Sequence, residues 1–207
     1  MAELAARPID GSFDFAHLQA IHRHLFGDLY EWAGEIRTVD TVPGDLGILH
    51  DPSAAIPDEL DRVFADVNSG VYLNHHSHEA FVHDLAGHWG DLTRVHPFVD
   101  GNSRAQRVFF DQLTRDVGWV IEWCELSVDA VQAACNFACV DGGVILADVF
   151  RSAIKPVTEG PPVSTASASR EDSRSFRDHW ESMLAHYDTT PEQAYSWPSI
   201  ENRFRTT

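Results

Sequence analysis

The run His96-Pro97-Phe98-Val99-Asp100-Gly101-Asn102-Ser103-Arg104-Ala105-Gln106-Arg107 limits what this chain can fold into more than any other stretch. It combines a base, a carboxylate, a flexible turn and two arginines, and an apolar helical pattern follows. A turn that opens a helix gathers backbone N–H donors and the positive end of the helix dipole at one point. Gly101 allows a sharp turn and a close approach, and Asn102 carries amide donors. Arg104 and Arg107 are three apart, so a helix would project them from nearly the same face. This is the composition of a polyphosphate cradle. Asp100 supplies a hard oxygen suited to a magnesium ion bridging phosphates. His96, at the opposite edge, is suited to take a proton from a hydroxyl.

These residues closely resemble the signature of the Fic family, His-x-Phe-x-Asp/Glu-Gly-Asn-Gly-Arg-x-x-Arg. The departure is Ser103, where the family usually has its second glycine. A second resemblance lies upstream, in His24-Leu25-Phe26-Gly27-Asp28-Leu29-Tyr30-Glu31-Trp32-Ala33-Gly34-Glu35-Ile36-Arg37. It is similar to the family's segment leading from the first helix into a β-hairpin flap. The likeness covers roughly residues 13–155. It implies an all-α helical bundle with a small hairpin flap, and an enzyme that transfers AMP from ATP to a Ser, Thr or Tyr hydroxyl of a target protein. It makes His96 the general base and Asp100 the magnesium ligand. Gly101, Asn102, Ser103, Arg104 and Arg107 become the phosphate-binding set. The flap residues Thr38, Val39, Asp40, Thr41 and Val42 would dock the target by strand addition.

Ser103 sets the most specific expectation. Ser103-Arg104-Ala105-Gln106 fits a capping box, with Ser as N-cap and Gln at the third helical position. If the site instead needs φ > 0 there, a serine would be strained by about 1 kcal/mol or more. Two rival functions follow: another nucleotide or phosphocholine transfer on the same scaffold, or a binding module that lost activity through Ser103. Surface ion pairing is the plain alternative for the two arginines. Phe98 and Phe109 are expected in the core.

Helical periodicity predicts helices over 14–27, 57–67, 78–94, 104–117, 127–139 and from about 144 to 154. Ile36 to His50, around Pro43-Gly44-Asp45, predicts a hairpin, and Trp119 to Glu125 an extended segment. The helical domain is expected over 1–155. Pro156 to Ser175, rich in Pro, Ser and Thr, reads as a linker. Residues 176–207 read as a partly helical extension whose Trp180, Tyr195, Trp197 and Phe204 need a surface to dock on.

Thirty-two acidic residues against 15 basic ones leave a net charge of −17. That balance repels nucleic-acid backbones, so no nucleic-acid partner is expected. No apolar run approaches the length of a membrane span, and no leader pattern opens the chain. With three cysteines, an odd count, reduced thiols and a cytoplasmic setting are expected. Cys135 and Cys139 read as small buried hydrophobes. The histidines outside the signature predict no transition-metal site. Many Fic proteins carry an inhibitory Ser/Thr-x-x-x-Glu-Gly/Asn pattern. Glu201-Asn202 ends correctly, but Trp197 takes the Ser/Thr position, and Thr158-Glu159-Gly160 lacks the spacing. The resemblance therefore implies the form inhibited by a separate small antitoxin, possible toxin-antitoxin partnership being analogy with bacterial relatives.

Overall fold

The computed structural model describes residues 7–41, 50–68 and 77–157, all of which fall in one structural unit, Arg7–Pro162. Among them are six α-helices and one small antiparallel sheet. Helix α1 (Phe15–Phe26) starts at Asp14, whose side chain accepts from the backbone N–H of His17 at 2.9 Å. It buries Leu18, Ile21, His22 and Phe26. After a short 3-10 turn (Ser53–Ala55) comes α2 (Ile56–Asn68), with Ile56, Leu60, Val63 and Phe64 inward. Ser77 caps α3 (His78–Val95), which buries Phe81, Val82, Leu85, Trp89 and Leu92 among others.

Trp89 of α3 is the centre of the core. It stacks on Phe110 at a ring separation of 4.5 Å and meets Phe150 at 5.3 Å. Phe110 belongs to α4 (Asn102–Asp116) and Phe150 to α6 (Val144–Phe150). Between them runs α5 (Val128–Asp141), capped by Ser127. Helix α5 approaches α3 closely at Gly90, where a Cβ would lie 2.6 Å from the carbonyl oxygen of Ala138. A side chain there would force the two helices apart.

The helices expected from periodicity form within a few residues of their predicted bounds, the largest difference being α6, which stops at Phe150. One strand forms within the segment expected to be extended, Trp119 to Glu125, and its partner follows α6. Strand β1 (Trp119–Ile121) pairs with β2 (Ile154–Pro156), placing Trp119 opposite Pro156 and Ile121 opposite Ile154. Residues 36–41 and 50 carry no strand, and the rest of the expected hairpin, Val42 and Pro43-Gly44-Asp45 included, lies outside the described residues. So do the linker from 158 onward, the extension and Glu201. No described helix is long and apolar enough to cross a membrane.

Candidate active site

The six residues from His96 to Gly101 join the C-terminus of α3 to the N-terminus of α4. Both ends of this loop are left-handed: His96 has φ 47°, and Gly101 has φ 78°. At Gly101 the conformation and the packing both demand glycine, because a Cβ would stand 2.4 Å from the Phe26 ring. At His96 a non-glycine residue accepts a conformation that costs roughly 1–2 kcal/mol, so neighbouring contacts must hold it.

Arg37 provides them. Its side chain is buried, and its guanidinium donates to backbone carbonyls: Nε to His96 (2.7 Å), Nη1 to Val39 (2.8 Å), and Nη2 to Asp51 (2.6 Å) and Val95 (3.1 Å), with the Asp40 carboxylate 4.0 Å from Nη1. The Arg37 backbone N–H donates to the Pro97 carbonyl at 2.8 Å. One buried cation thus ties the start of the loop to the segments at 39 and 51. From the other side, His22 Nε2 donates to the Asp100 carbonyl at 2.8 Å, while its Nδ1 accepts from the Gly34 N–H at 2.9 Å. Its ring lies 3.9 Å from that of Phe98. Burial holds the His22 pKa below the usual imidazole value, which suits a ring that must accept at Nδ1.

Asn102 closes the loop on itself. Its Oδ1 accepts from the Phe98 N–H at 2.9 Å and its Nδ2 donates to the Phe98 carbonyl at 2.8 Å. The buried amide thus uses its oxygen and one N–H donor to hold the loop's own shape. The expected capping box does not form. Gly101 is the N-cap, without a side-chain hydrogen bond, and Ser103 lies inside the first turn of α4. Gln106 faces inward instead, accepting from Thr93 Oγ1 at 3.1 Å and donating to the Leu92 carbonyl at 3.2 Å. Since Ser103 is helical, it carries no left-handed strain, and its side chain is exposed. No side chain caps α4, so its first N–H groups keep the donor capacity that an anion at a helix N-terminus would use.

The two signature arginines have different surroundings. Arg104 is half exposed, lies over the Phe26 ring at 4.5 Å and approaches Asp100 at 3.4 Å. Arg107 is buried, with its guanidinium 5.7 Å from the Trp123 ring centre. The two lie three apart on one helix and so share nearly one face, but Arg104 stays half exposed in the first turn while Arg107, further along, is covered by the protein. Phe98 and Phe109 lie in the core as expected.

His96 is partly exposed as a residue, but its Nδ1 is enclosed and makes no hydrogen bond of normal geometry. Its ring stacks on that of His50, with centroids 3.7 Å apart and planes within 9°. Burial, then the neighbouring His50 and the charge of Arg37, pushes His96 down to about 3; burial and the charge of Arg37 push His50 down to about 4. The nearby Thr93 backbone opposes the shift at His96 only weakly. Both rings are neutral at ordinary pH, and a neutral imidazole is the form that accepts a proton. Beside them, Thr38, Val39 and Asp40 are exposed. Asp40 Oδ1 accepts from the Ser53 N–H at 2.7 Å, and Thr41 Oγ1 shares a hydrogen bond with His50 Nδ1 at 2.9 Å.

His22, Arg37 and His50 were not singled out as site residues from the sequence. His22 reads as one more inward position of α1, and nothing near His50 marks it. Arg37 had a weak signal, as a charged residue among Ile36, Val39 and Val42. Cys135 and Cys139 are free and half buried, and burial pushes the Cys135 thiol up to about 12.

Comparison with known proteins places this geometry. The family model described as Fic/DOC family matches residues 12–114. A probable protein adenylyltransferase Fic of Salmonella typhimurium is 34% identical over 143 residues, 69% of this chain and 70% of that protein. Protein adenylyltransferase VbhT of Bartonella schoenbuchensis is 35% identical over 121 residues, which span 58% of this chain and 25% of VbhT. The crystal structure of BepC of Bartonella tribocorum with bound AMPPNP superposes with a TM-score of 0.67 at 26% identity, covering 75% of this chain and 81% of that one. With its loop between α3 and α4 and these relatives, the chain belongs to the Fic/DOC family.

Proposed function

We propose that this protein is an adenylyltransferase that moves AMP from ATP to a Ser, Thr or Tyr hydroxyl of another protein. The observation that carries the reading is the pairing, across one short loop, of a neutral imidazole at His96 with the uncapped N-terminus of α4. Relatives named protein adenylyltransferases, and a related structure holding AMPPNP, support it.

In this reading the backbone N–H groups of Asn102, Ser103 and Arg104 donate to the phosphate oxygens. Gly101 lets them approach, and the Asn102 side chain keeps the loop in shape. Arg104 exchanges its Asp100 partner for the terminal phosphates. An exposed pair of that kind is worth only about 0–1 kcal/mol, whereas a guanidinium–phosphate contact is charge-assisted and bidentate. Arg107 supports from inside, through the packing of α4. Asp100 fits a magnesium ion, since a hard carboxylate oxygen beside a phosphate site matches an ion held largely by phosphates and water. When bound, that ion neutralises phosphate charge.

His96 takes the proton of the target hydroxyl. The hydroxyl oxygen forms a bond to the α-phosphorus, the bond from that phosphorus to the bridging oxygen breaks, and pyrophosphate leaves. The negative triphosphate raises the proton affinity of His96 as it arrives, so burial and substrate charge oppose each other at this ring. Exposed Thr38, Val39 and Asp40, with Thr41 and Val42, guide the target segment. A separate small antitoxin supplies inhibition in this reading, because these 207 residues carry no copy of the inhibitory pattern. The setting is cytoplasmic.

Labelled ATP, magnesium and a lysate, with wild type beside His96→Ala, test the proposal. AMP should appear on a protein with wild type alone, while ATP affinity is little changed by the substitution. Transfer by the variant would remove His96 from its role. An adduct of another mass would indicate a different transfer, and ATP binding without transfer would indicate a binding module.

A further inference from the structure

Transfer by a histidine base needs its ring held in one plane, because the attacking oxygen must meet a lone pair directed at it. In many sites a second hydrogen bond to the other ring nitrogen does this. At His96 that support is weak: the Thr93 backbone is near, but the enclosed Nδ1 makes no hydrogen bond of normal geometry. Arg37 fixes the backbone of His96 through its carbonyl and leaves the imidazole torsion open. What meets the ring is His50, lying parallel to it at 3.7 Å. His50 is itself fixed. It is buried, its neighbour Asp51 is bound through backbone N–H to the Arg94 carbonyl at 2.9 Å, and its Nδ1 is bound to Thr41 Oγ1.

We infer that His50 is a positioning residue for the transfer: its ring sets the plane of the His96 imidazole, and Thr41 holds His50 in turn. The inference rests on the adenylyl-transfer reading above. It also gives the flap a mechanical route to the base. Thr41 lies in the segment assigned to target docking, and a hydroxyl that shifts with the docked target moves His50 and, through it, His96.

The test uses the full chain with His50→Ala, His50→Phe and Thr41→Val, with thermal melts to verify folding. Steady-state transfer at varied ATP is combined with the NMR resonance of the His96 Cε1–H, which a stacked ring displaces. Misorientation of a reacting group costs up to about 100-fold, so His50→Ala should lower kcat by roughly 10- to 100-fold with KM for ATP shifted less than about threefold. His50→Phe, which keeps a flat ring, should recover most of that loss. Thr41→Val should fall between the two. The displaced His96 resonance should persist in the Phe variant and vanish in the Ala variant. A folded His50→Ala protein with wild-type kcat, or a His96 resonance indifferent to that substitution, overturns the inference. Absence of transfer from wild type with the resonance effect intact overturns the functional reading instead, and leaves the stack established.

Discussion

At the scale of single residues, the site is held by groups that do no chemistry. Arg37 and His22 grip the carbonyls of His96 and Asp100 from opposite sides, and Asn102 pins the turn between them. Burying a guanidinium is expensive unless its donors are used. The Arg37 donors go to backbone carbonyls of His96, Val39, Asp51 and Val95, so the cost is offset where order is needed. The stacked histidines give a pH prediction. His50 lies at about 4 in the folded protein against 6.5 as its ordinary value. Below about 6.5 the unfolded chain takes up a proton that the folded ring refuses, so folding stability falls as pH drops toward about 4 and is unaffected above the window. His96 adds to the loss in the same direction. Urea unfolding between pH 7.5 and 4.5 should show a shallower decline for His50→Phe than for wild type; parallel curves would mean that His50 is not held neutral by the fold.

Helix α4 is the element that turns sequence into a site. Its first turn presents backbone donors, its Arg104 reaches the loop, and its Phe109 and Phe110 enter the core. Ser103 tests the helix itself. Because it lies in the first turn at helical φ, exchange for glycine relieves no strain and costs about 0.5 kcal/mol through backbone entropy. Ser103→Gly should therefore transfer AMP at close to the wild-type rate and melt slightly earlier. A large loss of transfer would show that the hydroxyl touches the nucleotide. Arg104 belongs to the same turn. Arg104→Ala should weaken ATP more than AMP in calorimetric titration, because the missing contact is to the terminal phosphates; equal losses would assign the side chain elsewhere.

For the whole molecule, the small sheet closes the bundle. Strand β2 returns after α6 to pair with β1, and the Val157 N–H donates to the Gly118 carbonyl at 2.9 Å. Ile154 is buried, and its carbonyl accepts from His78 Nε2 at 2.7 Å, tying the strand to the start of α3. A chain ending at 157 should keep a cooperative melt and AMP transfer. One ending at 153 should lose several degrees of Tm, since it strips β1 of its partner and leaves His78 unpaired. Matching melts for the two would deny β2 a part in stability. Composition changes at Lys155-Pro156, while backbone hydrogen bonding continues to Val157. Sequence alone determined the helices, through apolar periodicity, and it located the loop from His96 to Gly101 through residue types that few other roles require. Local patterns carry that information because helical contacts span only three or four residues. Tertiary structure decided the rest. It moved the cap from Ser103 to Gly101, buried Arg107 under Trp123, paired strands 33 residues apart, and brought His22, Arg37 and His50 to the loop. Those contacts join positions distant along the chain, and no spacing within one segment encodes which buried carbonyl a guanidinium will meet or which ring a histidine will face.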